Sequence, residues 1–359
     1  MGRRIELGIR NPAIGNRKGV AMIMVLWVIA ILSVVVLEFC FGMRTEANIA
    51  KNFKEDVQLY AIAEGGVERA IVELIYKHDL RVQQLRRGTK TEEIPPEMKE
   101  WLTDGRPYPL VFDQGSCEIR IMAEGGKVNI NKVSEATLRK IIGNLGLEAE
   151  QRDIVTDSIL DWRDPDDLYR INGAENDYYQ SLKEPYLCKN DNLDSIEELL
   201  LVRGVTPELF YGRKKTLNGE EESKADQAGL KDIFSIYSSG EQIDINSATS
   251  VVLRYVLGVP EDVSRPIVKA REEKGFLNQQ DLLQRVPEIL PFIGEVGKIA
   301  LYQSITPYYT TESVARSKEG GATRGIKAIL KVDPKERKGY KIVQWIDAVG
   351  YSTASNPDF

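Results

Sequence analysis

One acidic stretch of this sequence carries residues whose types and spacing suit a metal ion. It runs from Asp161 to Asp167 (Asp-Trp-Arg-Asp-Pro-Asp-Asp) and resumes from Gly173 to Asp177 (Gly-Ala-Glu-Asn-Asp). Because Pro165 disfavours a helical conformation at the residue before it, the chain is expected to turn there and bring carboxylates together. Calcium takes about six to eight oxygen ligands and tolerates irregular geometry. The candidate ligands are Asp161, Asp164, Asp166, Glu175 and Asp177.

The spacing of these carboxylates leaves two interpretations equally open. One is a calcium site, since an all-oxygen set favours calcium over zinc or copper. The other is a solvated acidic loop whose side chains cap neighbouring helices.

Other metal and catalytic chemistry finds little support. The cysteines (Cys40, Cys117 and Cys188) form no C-x-x-C pair, so a zinc site is not predicted, and nothing in the sequence shows that Cys117 meets Cys188. The single histidine, His78, lies in a helical pattern and is interpreted as a surface residue. A Ser/His/Asp triad would require it, so the sequence predicts no enzyme.

An uncharged apolar run extends from Val20 to Leu37. As a helix it would be about 27 Å long, close to the ~30 Å hydrocarbon core of a bilayer. Basic residues outnumber acidic ones before it, which places the N-terminus in the cytoplasm and the remainder outside. The run is too long for a signal peptide and no convincing small-x-small cleavage site follows it. A plain membrane anchor and a pilin-type segment remain.

The border Lys18-Gly19-Val20 favours the second alternative. A basic leader that ends in Gly directly before an apolar helix resembles the type IV pilin class, which prepilin peptidase cleaves after that Gly, here between Gly19 and Val20. Most pilin-like subunits carry Glu at the fifth residue after cleavage, where this sequence has Met24. A carboxylate in lipid needs a partner, and in pilins that partner is the N-terminal amine of a neighbouring subunit. Among secretion pseudopilins, the protein K family usually lacks this Glu.

The helix is expected to continue from Arg44 to about Leu80, because apolar residues recur there at spacings of three and four. Gly65-Gly66 should make it bendable at that point. The resulting stripe must cover a surface. Together with Met24, its candidate assembly residues are Val57, Tyr60, Val67 and Ile71.

Strand patterns lie at the two ends of the remaining chain. Residues 86–112 are rich in Pro and Gly and are interpreted as a loop with a short helix. Alternation predicts a strand at 118–123. Three further segments, 308–315, 326–332 and 340–348, are rich in Val, Ile, Tyr and Thr, and with the first can form one antiparallel sheet.

The segment between these strands contains an internal duplication. Leu138-Arg139 and Leu253-Arg254 match at an offset of 115. The preceding stretches, Val128–Asn131 and Ile243–Asn246, match at the same offset. A second pair of matching stretches follows, Leu193–Leu200 and Leu277–Leu283. Each copy resembles the helix-hairpin-helix family, whose DNA-binding members hold phosphate. Residues 127–300 contain 22 basic and 31 acidic residues, however, so nucleic acid is not expected as a partner.

Taken in order, these motifs look like type II secretion system protein K, a minor pseudopilin. The match rests on Lys18-Gly19, Met24, Ala63-Glu64-Gly65, Gly126–Asn131, Asp161–Asp166, Gly173–Glu175 and Phe234–Ser238. The resemblance implies a structural calcium near Asp161 and Glu175. It implies processing and methylation of a protein in the inner membrane, with a periplasmic C-terminal domain. The implied partners are I- and J-type minor pseudopilins, the major pseudopilin, prepilin peptidase and the inner-membrane assembly platform, with the secreted substrate as a further candidate.

The predicted fold class is therefore α+β. An N-terminal transmembrane helix continues into a pilin-like α/β domain with an antiparallel sheet, interrupted by a large all-α insertion of two helix-hairpin-helix or SAM-like repeats. The predicted boundaries are a leader at 1–19, the transmembrane helix at 20–42, pilin-like parts at 43–126 and 303–359, and the insertion at 127–302, with repeats at 127–212 and 243–302. The function implied is a minor pseudopilin at the tip of a type II secretion pseudopilus, which helps to initiate assembly and export. The alternative is a minor pilin of a related type IV pilus or DNA-uptake system.

Overall fold

The computed structural model describes residues 17–79, 81–82, 84, 100–212, 228–303, 306–318 and 321–349. Most of the predicted leader, residues 1–16, lies outside the described residues, as does the charged segment 213–227. The chain divides into two compact units, and the division falls after Gln58 in the sequence.

The helices and strands follow one another in a clear order. The helices are α1 (Arg17–His78), α2 (Glu135–Asn144), α3 (Ala149–Arg163), α4 (Asn176–Gln180), α5 (Pro207–Tyr211), α6 (Leu230–Ile233), α7 (Ser250–Val252), α8 (Glu261–Glu273), α9 (Gln279–Arg285) and α10 (Ile293–Ile299). The strands are β1 (Asp104–Phe112), β2 (Gly115–Ala123), β3 (Val128–Asn129), β4 (Phe234–Ser235), β5 (Ile243–Asp244), β6 (Ala300–Leu301), β7 (Tyr308–Ser317), β8 (Thr323–Val332) and β9 (Tyr340–Val349).

The described residues of the first unit form the N-terminal part of α1. Its apolar side chains are exposed from Val20 onward, and α1 is the one helix among the described residues that is long and apolar enough to cross a membrane. The continuation of this helix past Arg44, predicted from the spacing of apolar residues, is confirmed by its end at His78.

In the second unit, the last turns of α1 pack on a five-stranded sheet. Leu59, Ala63, Val67 and further residues at helical spacing are buried against β2, β7 and β8. The helix runs without interruption through Gly65-Gly66, where the sequence suggested a bendable point. A Cβ atom at Gly66 would lie 2.2 Å from the Ser313 Oγ on β7. Glycine therefore serves here to let helix and sheet approach closely.

The sheet has the strand order β1-β2-β7-β8-β9, and each pair of adjacent strands is antiparallel. This confirms the predicted strand at 118–123 and the three predicted near the C-terminus. The interpretation of 104–112 as loop was wrong, because these residues form β1. Pro107 and Pro109, which suggested a loop, are tolerated because β1 lies at the edge of the sheet.

The chain between β2 and β7 forms a second hydrophobic core of its own, built largely from short helices. The sequence predicted that this segment is all helical, but it also contains short strands. Two-residue strands pair in parallel, β3 with β4 and β5 with β6. The buried Val128 and Ile243 lie in these strands, so each copy of the duplicated sequence begins with a short strand.

In each copy of the duplication, one arginine side chain donates hydrogen bonds to backbone carbonyl oxygens of the same copy. Arg163 donates hydrogen bonds to the carbonyl oxygens of Ile130 and Val133. Arg271 donates to those of Ile245 and Ala248, at 2.9 and 2.6 Å. Both acceptor pairs are related by the offset of 115 that aligns the two sequences. The duplication is therefore visible in hydrogen bonding as well as in sequence.

A second equivalence corrects the sequence alignment by one residue. The side chain of Asn131 pairs with the backbone of Leu193, at 2.8 and 2.9 Å. Asn246 makes the same pair of hydrogen bonds with Phe276, at 2.7 and 2.9 Å. Leu193 therefore corresponds to the buried Phe276 and not to Leu277, which is 66% exposed.

Candidate functional site

The acidic cluster is organised around Asp161, at the end of α3. This carboxylate is completely buried, and its Oδ1 accepts a hydrogen bond of 2.6 Å from the Arg170 guanidinium, which also contacts Asp164. Burial raises the pKa of Asp161, and the hydrogen bonds from Arg170 only partly oppose this. A Cβ atom at Gly173 would lie 1.7 Å from Asp161 Oδ2, so only glycine fits there.

Glu175 is the least satisfied member of the cluster. Its side chain is 1% exposed and neither carboxylate oxygen has a hydrogen-bond partner. Burial raises the pKa of Glu175 to about 7, and the negative charges of Asp161 and Asp164 add to the effect. The Cys188 thiol opposes this shift weakly, yet it makes no hydrogen bond of ordinary geometry to Glu175. A buried, unpaired carboxylate is costly unless a cation or donor compensates it.

Asn190 joins the cluster although the sequence reasoning did not select it. Its Nδ2 donates to the Asp166 carbonyl oxygen at 3.1 Å and to Asp167 Oδ1 at 2.8 Å, while its Oδ1 is buried without a partner. Its φ of 46° is in the left-handed region, which Asn tolerates better than most residues. The available signal was the polar run from Cys188 to Asn192 (Cys-Lys-Asn-Asp-Asn), which follows the acidic stretches along the chain.

The remaining two candidate ligands stand apart. Asp166 and Asp177 are exposed, and Asp166 Oδ1 accepts a hydrogen bond of 2.9 Å from the Leu168 backbone N–H, which stabilises a local turn. In the part of the chain that the structure describes, no three acidic, Cys or His side chains converge closely enough to hold a metal ion. The Arg170 guanidinium contacts both Asp161 and Asp164 at this place.

The residues present nevertheless fit calcium in their chemistry. Asp164 Oδ1, both Glu175 oxygens and Asn190 Oδ1 are buried and unpartnered, and all are hard oxygen donors of the kind that calcium prefers. A cation would supply the compensation that these atoms lack.

The predicted cleavage residues Gly19 and Val20 lie within α1, which begins at Arg17. Val20 and Met24 are 57% and 59% exposed, as the apolar residues around them are. Of the candidate assembly residues, Val57 is 51% exposed and Tyr60 is half-buried, whereas Val67 and Ile71 are buried in the sheet core. Direct contact with a partner is therefore open to Val57 and Tyr60, and Val67 and Ile71 support the fold instead.

Comparison with known proteins shows which proteins this chain resembles. A family model described as Type II secretion system (T2SS), protein K matches residues 119–214, which include the whole acidic cluster. The Type II secretion system protein K of Pseudomonas aeruginosa is 24% identical over 293 residues, covering 79% of this chain and 80% of the relative. That of Aeromonas hydrophila is 24% identical over 340 residues, covering 91% and 96%. The chain is therefore similar to type II secretion system protein K over most of its length.

This confirms the resemblance drawn from the motifs. A helix-hairpin-helix motif model matches residues 238–293 of this chain, which cover most of the second copy of the duplication. A solved structure shares the fold: a chain in the crystal structure of the GspK-GspI-GspJ complex from the enterotoxigenic Escherichia coli Type 2 Secretion System. It superposes with a TM-score of 0.51 at 16% identity, covering 86% of this chain and 100% of that chain.

Cys117, Cys188 and His78, which could have suggested other chemistry, lie at buried positions or near a helix end. Cys117 and Cys188 are both buried free thiols. His78 is exposed at the end of α1, and its Nε2 shares a hydrogen bond of 2.8 Å with the Tyr309 hydroxyl.

Proposed function

We propose that this protein is a minor pseudopilin at the end of a type II secretion pseudopilus, where it helps to initiate assembly and to export folded proteins across the outer membrane. One observation carries the position at the end. The chain between β2 and β7 has its own hydrophobic core and is larger than the sheet to which it is attached. In a filament body each subunit repeats the same contacts above and below, and this bulk would collide with the next subunit.

The N-terminal helix supports the same position. A subunit that recruits a neighbour through the neighbour's N-terminal amine needs a carboxylate in the lipid, and Met24 supplies none. A subunit at the filament end has no further neighbour to recruit. Val57 and Tyr60 remain accessible for subunits below.

The division of the chain follows from this role. We assign 1–19 to a leader, 20–42 to a transmembrane helix in the inner membrane, 43–126 and 303–359 to a pilin-like periplasmic domain, and 127–302 to an insertion with repeats at 127–212 and 243–302. The sheet order supports the insertion, because β1 and β2 precede it and β7 to β9 follow it.

The similarity to protein K supports a set of partners, and so does the fold neighbour, which was crystallised in a complex of GspK, GspI and GspJ. We assign I- and J-type minor pseudopilins as the subunits below this one. Prepilin peptidase would process the chain, the inner-membrane platform would assemble it, and the major pseudopilin would join the filament afterwards. The role is structural and not catalytic.

Calcium would serve this role by fixing the acidic cluster. Asp161, Asp164, Glu175 and Asn190 are the residues that would hold it, since their oxygens are buried and those of Glu175 are unpartnered. Bound calcium supplies positive charge and oxygen coordination, which tie the end of α3 to α4 and to the loop at Asn190.

Processing tests the pseudopilin assignment. The peptidase site requires a small residue before the cut, so Gly19→Val should leave the leader attached, whereas Gly15→Val in the same leader should be processed normally. N-terminal sequencing and gel mobility in cells that express the peptidase measure the result. A mature wild-type N-terminus anywhere other than Val20 would remove the assignment.

A further inference from the structure

The cation that this structure places in the acidic cluster is the side chain of Arg170. Its Nη1 lies 2.6 Å from Asp161 Oδ1 and also contacts Asp164, and its backbone N–H donates to Asp161 Oδ2 at 3.3 Å. The Arg170 side chain itself is 34% exposed. It therefore reaches a buried acid from the solvent side.

Arg170 satisfies only part of the cluster. Asp161, Asp164 and Glu175 are three carboxylates, and the guanidinium contacts two of them. Both Glu175 oxygens, Asp164 Oδ1 and Asn190 Oδ1 remain without hydrogen bonds although they are buried. Glu175 is 1% exposed, so bulk water cannot supply the hydrogen bonds that its oxygens lack. These oxygen atoms could therefore coordinate a second cation with a higher charge than that of Arg170.

We propose that Arg170 is an exchangeable internal cation, which neutralises Asp161 and Asp164 when calcium is absent and which calcium displaces into solvent when it binds. This rests on the calcium site of the proposed function. Calcium and the guanidinium then compete for the same two carboxylates, and the affinity for calcium is lowered by the free energy of breaking the contacts of Arg170.

The loop is built so that the side chain can leave without carrying the backbone with it. Asn172 donates to Asp157 from its backbone N–H and its Nδ2, both at 3.2 Å. Asn176 and Asn190 each donate to Asp167 Oδ1 at 2.8 Å. These contacts flank Arg170 on both sides and do not involve its side chain. The exchange is therefore a movement of one long, partly exposed side chain.

The test compares the full-length chain in detergent with three variants: Arg170→Gln, Arg170→Lys and Lys183→Gln. Lys183 is exposed and lies outside the cluster. Lys183→Gln therefore removes one positive charge without affecting the competition between Arg170 and calcium. Titration calorimetry with calcium chloride gives Kd, and thermal unfolding in chelator gives the stability of the metal-free form. Arg170→Gln should bind calcium about tenfold more tightly, the equivalent of one charge-assisted hydrogen bond. It should also melt at a lower temperature in chelator.

The control and the conservative variant define the remaining outcomes. Lys183→Gln should match the wild type in both measurements, and Arg170→Lys, which keeps the charge but loses the planar fork, should lie between wild type and Arg170→Gln. An unchanged or weaker Kd for Arg170→Gln, with normal calcium binding by the wild type, overturns the exchange alone. A wild type that binds no calcium overturns both the exchange and the calcium site. A lower melting temperature in chelator without tighter binding makes Arg170 a purely structural residue.

Discussion

Replacing Arg271 with Met should destabilise the folded domain by about 3 kcal/mol, because it breaks a buried, charged network. Arg271 and Asp104 have side chains only 1% and 3% exposed, and their Nη2 and Oδ2 atoms are 3.1 Å apart. The same guanidinium donates to the carbonyl oxygens of Ile245 and Ala248. Met fills a similar volume but leaves these three acceptors without that donor.

The residual partner of Asp104 limits the loss. Burial alone would raise the pKa of Asp104, but the hydrogen bond and charge of Arg106, with the charge of Arg271, lower it. Arg106 donates to this carboxylate at 2.8 and 3.0 Å, so we expect Asp104 to keep a partner in the variant. This places the expected loss at the lower end of the range for a broken buried pair.

Urea unfolding of the fragment that lacks the N-terminal apolar run measures the effect. The matched control is Arg265→Met on the same helix, α8, where the side chain is 71% exposed and pairs only with Glu261; its loss should be below about 0.5 kcal/mol. If both variants lose the same small amount, the Arg271 network does not fix the second repeat to the sheet.

Calcium should stabilise the wild-type domain and fail to stabilise Glu175→Gln. A ligand that binds only the folded state adds RT ln(1 + [L]/Kd), about 2.7 kcal/mol at a hundredfold excess over Kd. Glu175 is the buried acid whose two oxygens lack any partner, so the isosteric amide removes the main ligand without removing bulk. In chelator the variant should melt no lower than wild type, because it removes repulsion with Asp161 and Asp164.

Thermal unfolding in calcium and in chelator gives the four melting temperatures required. Asp177→Asn is the matched control, because Asp177 is an exposed acid of the same segment, and it should retain the full calcium increment. Equal wild-type melting temperatures in calcium and chelator would refute the site. A calcium increment that survives in Glu175→Gln would place the ion elsewhere.

The features that the sequence predicted correctly are those with local periodicity. The spacing of apolar residues located α1 beyond Arg44, alternation located β2, and richness in Val, Ile, Tyr and Thr located the last three strands. The offset of 115 found in the sequence also relates the backbone acceptors of Arg163 to those of Arg271. Periodicity reports which face of an element is buried, and burial is what the fold requires of these residues.

The features that the sequence missed depend on contacts between distant segments. Pro107 and Pro109 suggest a loop until the neighbouring strand shows that β1 is an edge. Acidic residues at similar spacing looked equivalent, yet Asp161 and Glu175 are buried whereas Asp166 and Asp177 are exposed. Arg170 and Asn190 reach the cluster through turns of the loop, which composition cannot position.

The position of the subunit at the filament end is tested most directly by labelling and imaging. Lys183→Cys, in a chain with Cys40→Ser, offers an exposed thiol on the helical segment, while Cys117 and Cys188 are buried. Pseudopili overproduced in cells that express this variant would be treated with maleimide-linked gold and examined by electron microscopy, with a cysteine-labelled major pseudopilin as the control that decorates the shaft. We expect one gold particle at one end of each filament. Gold distributed along the shaft would contradict the account.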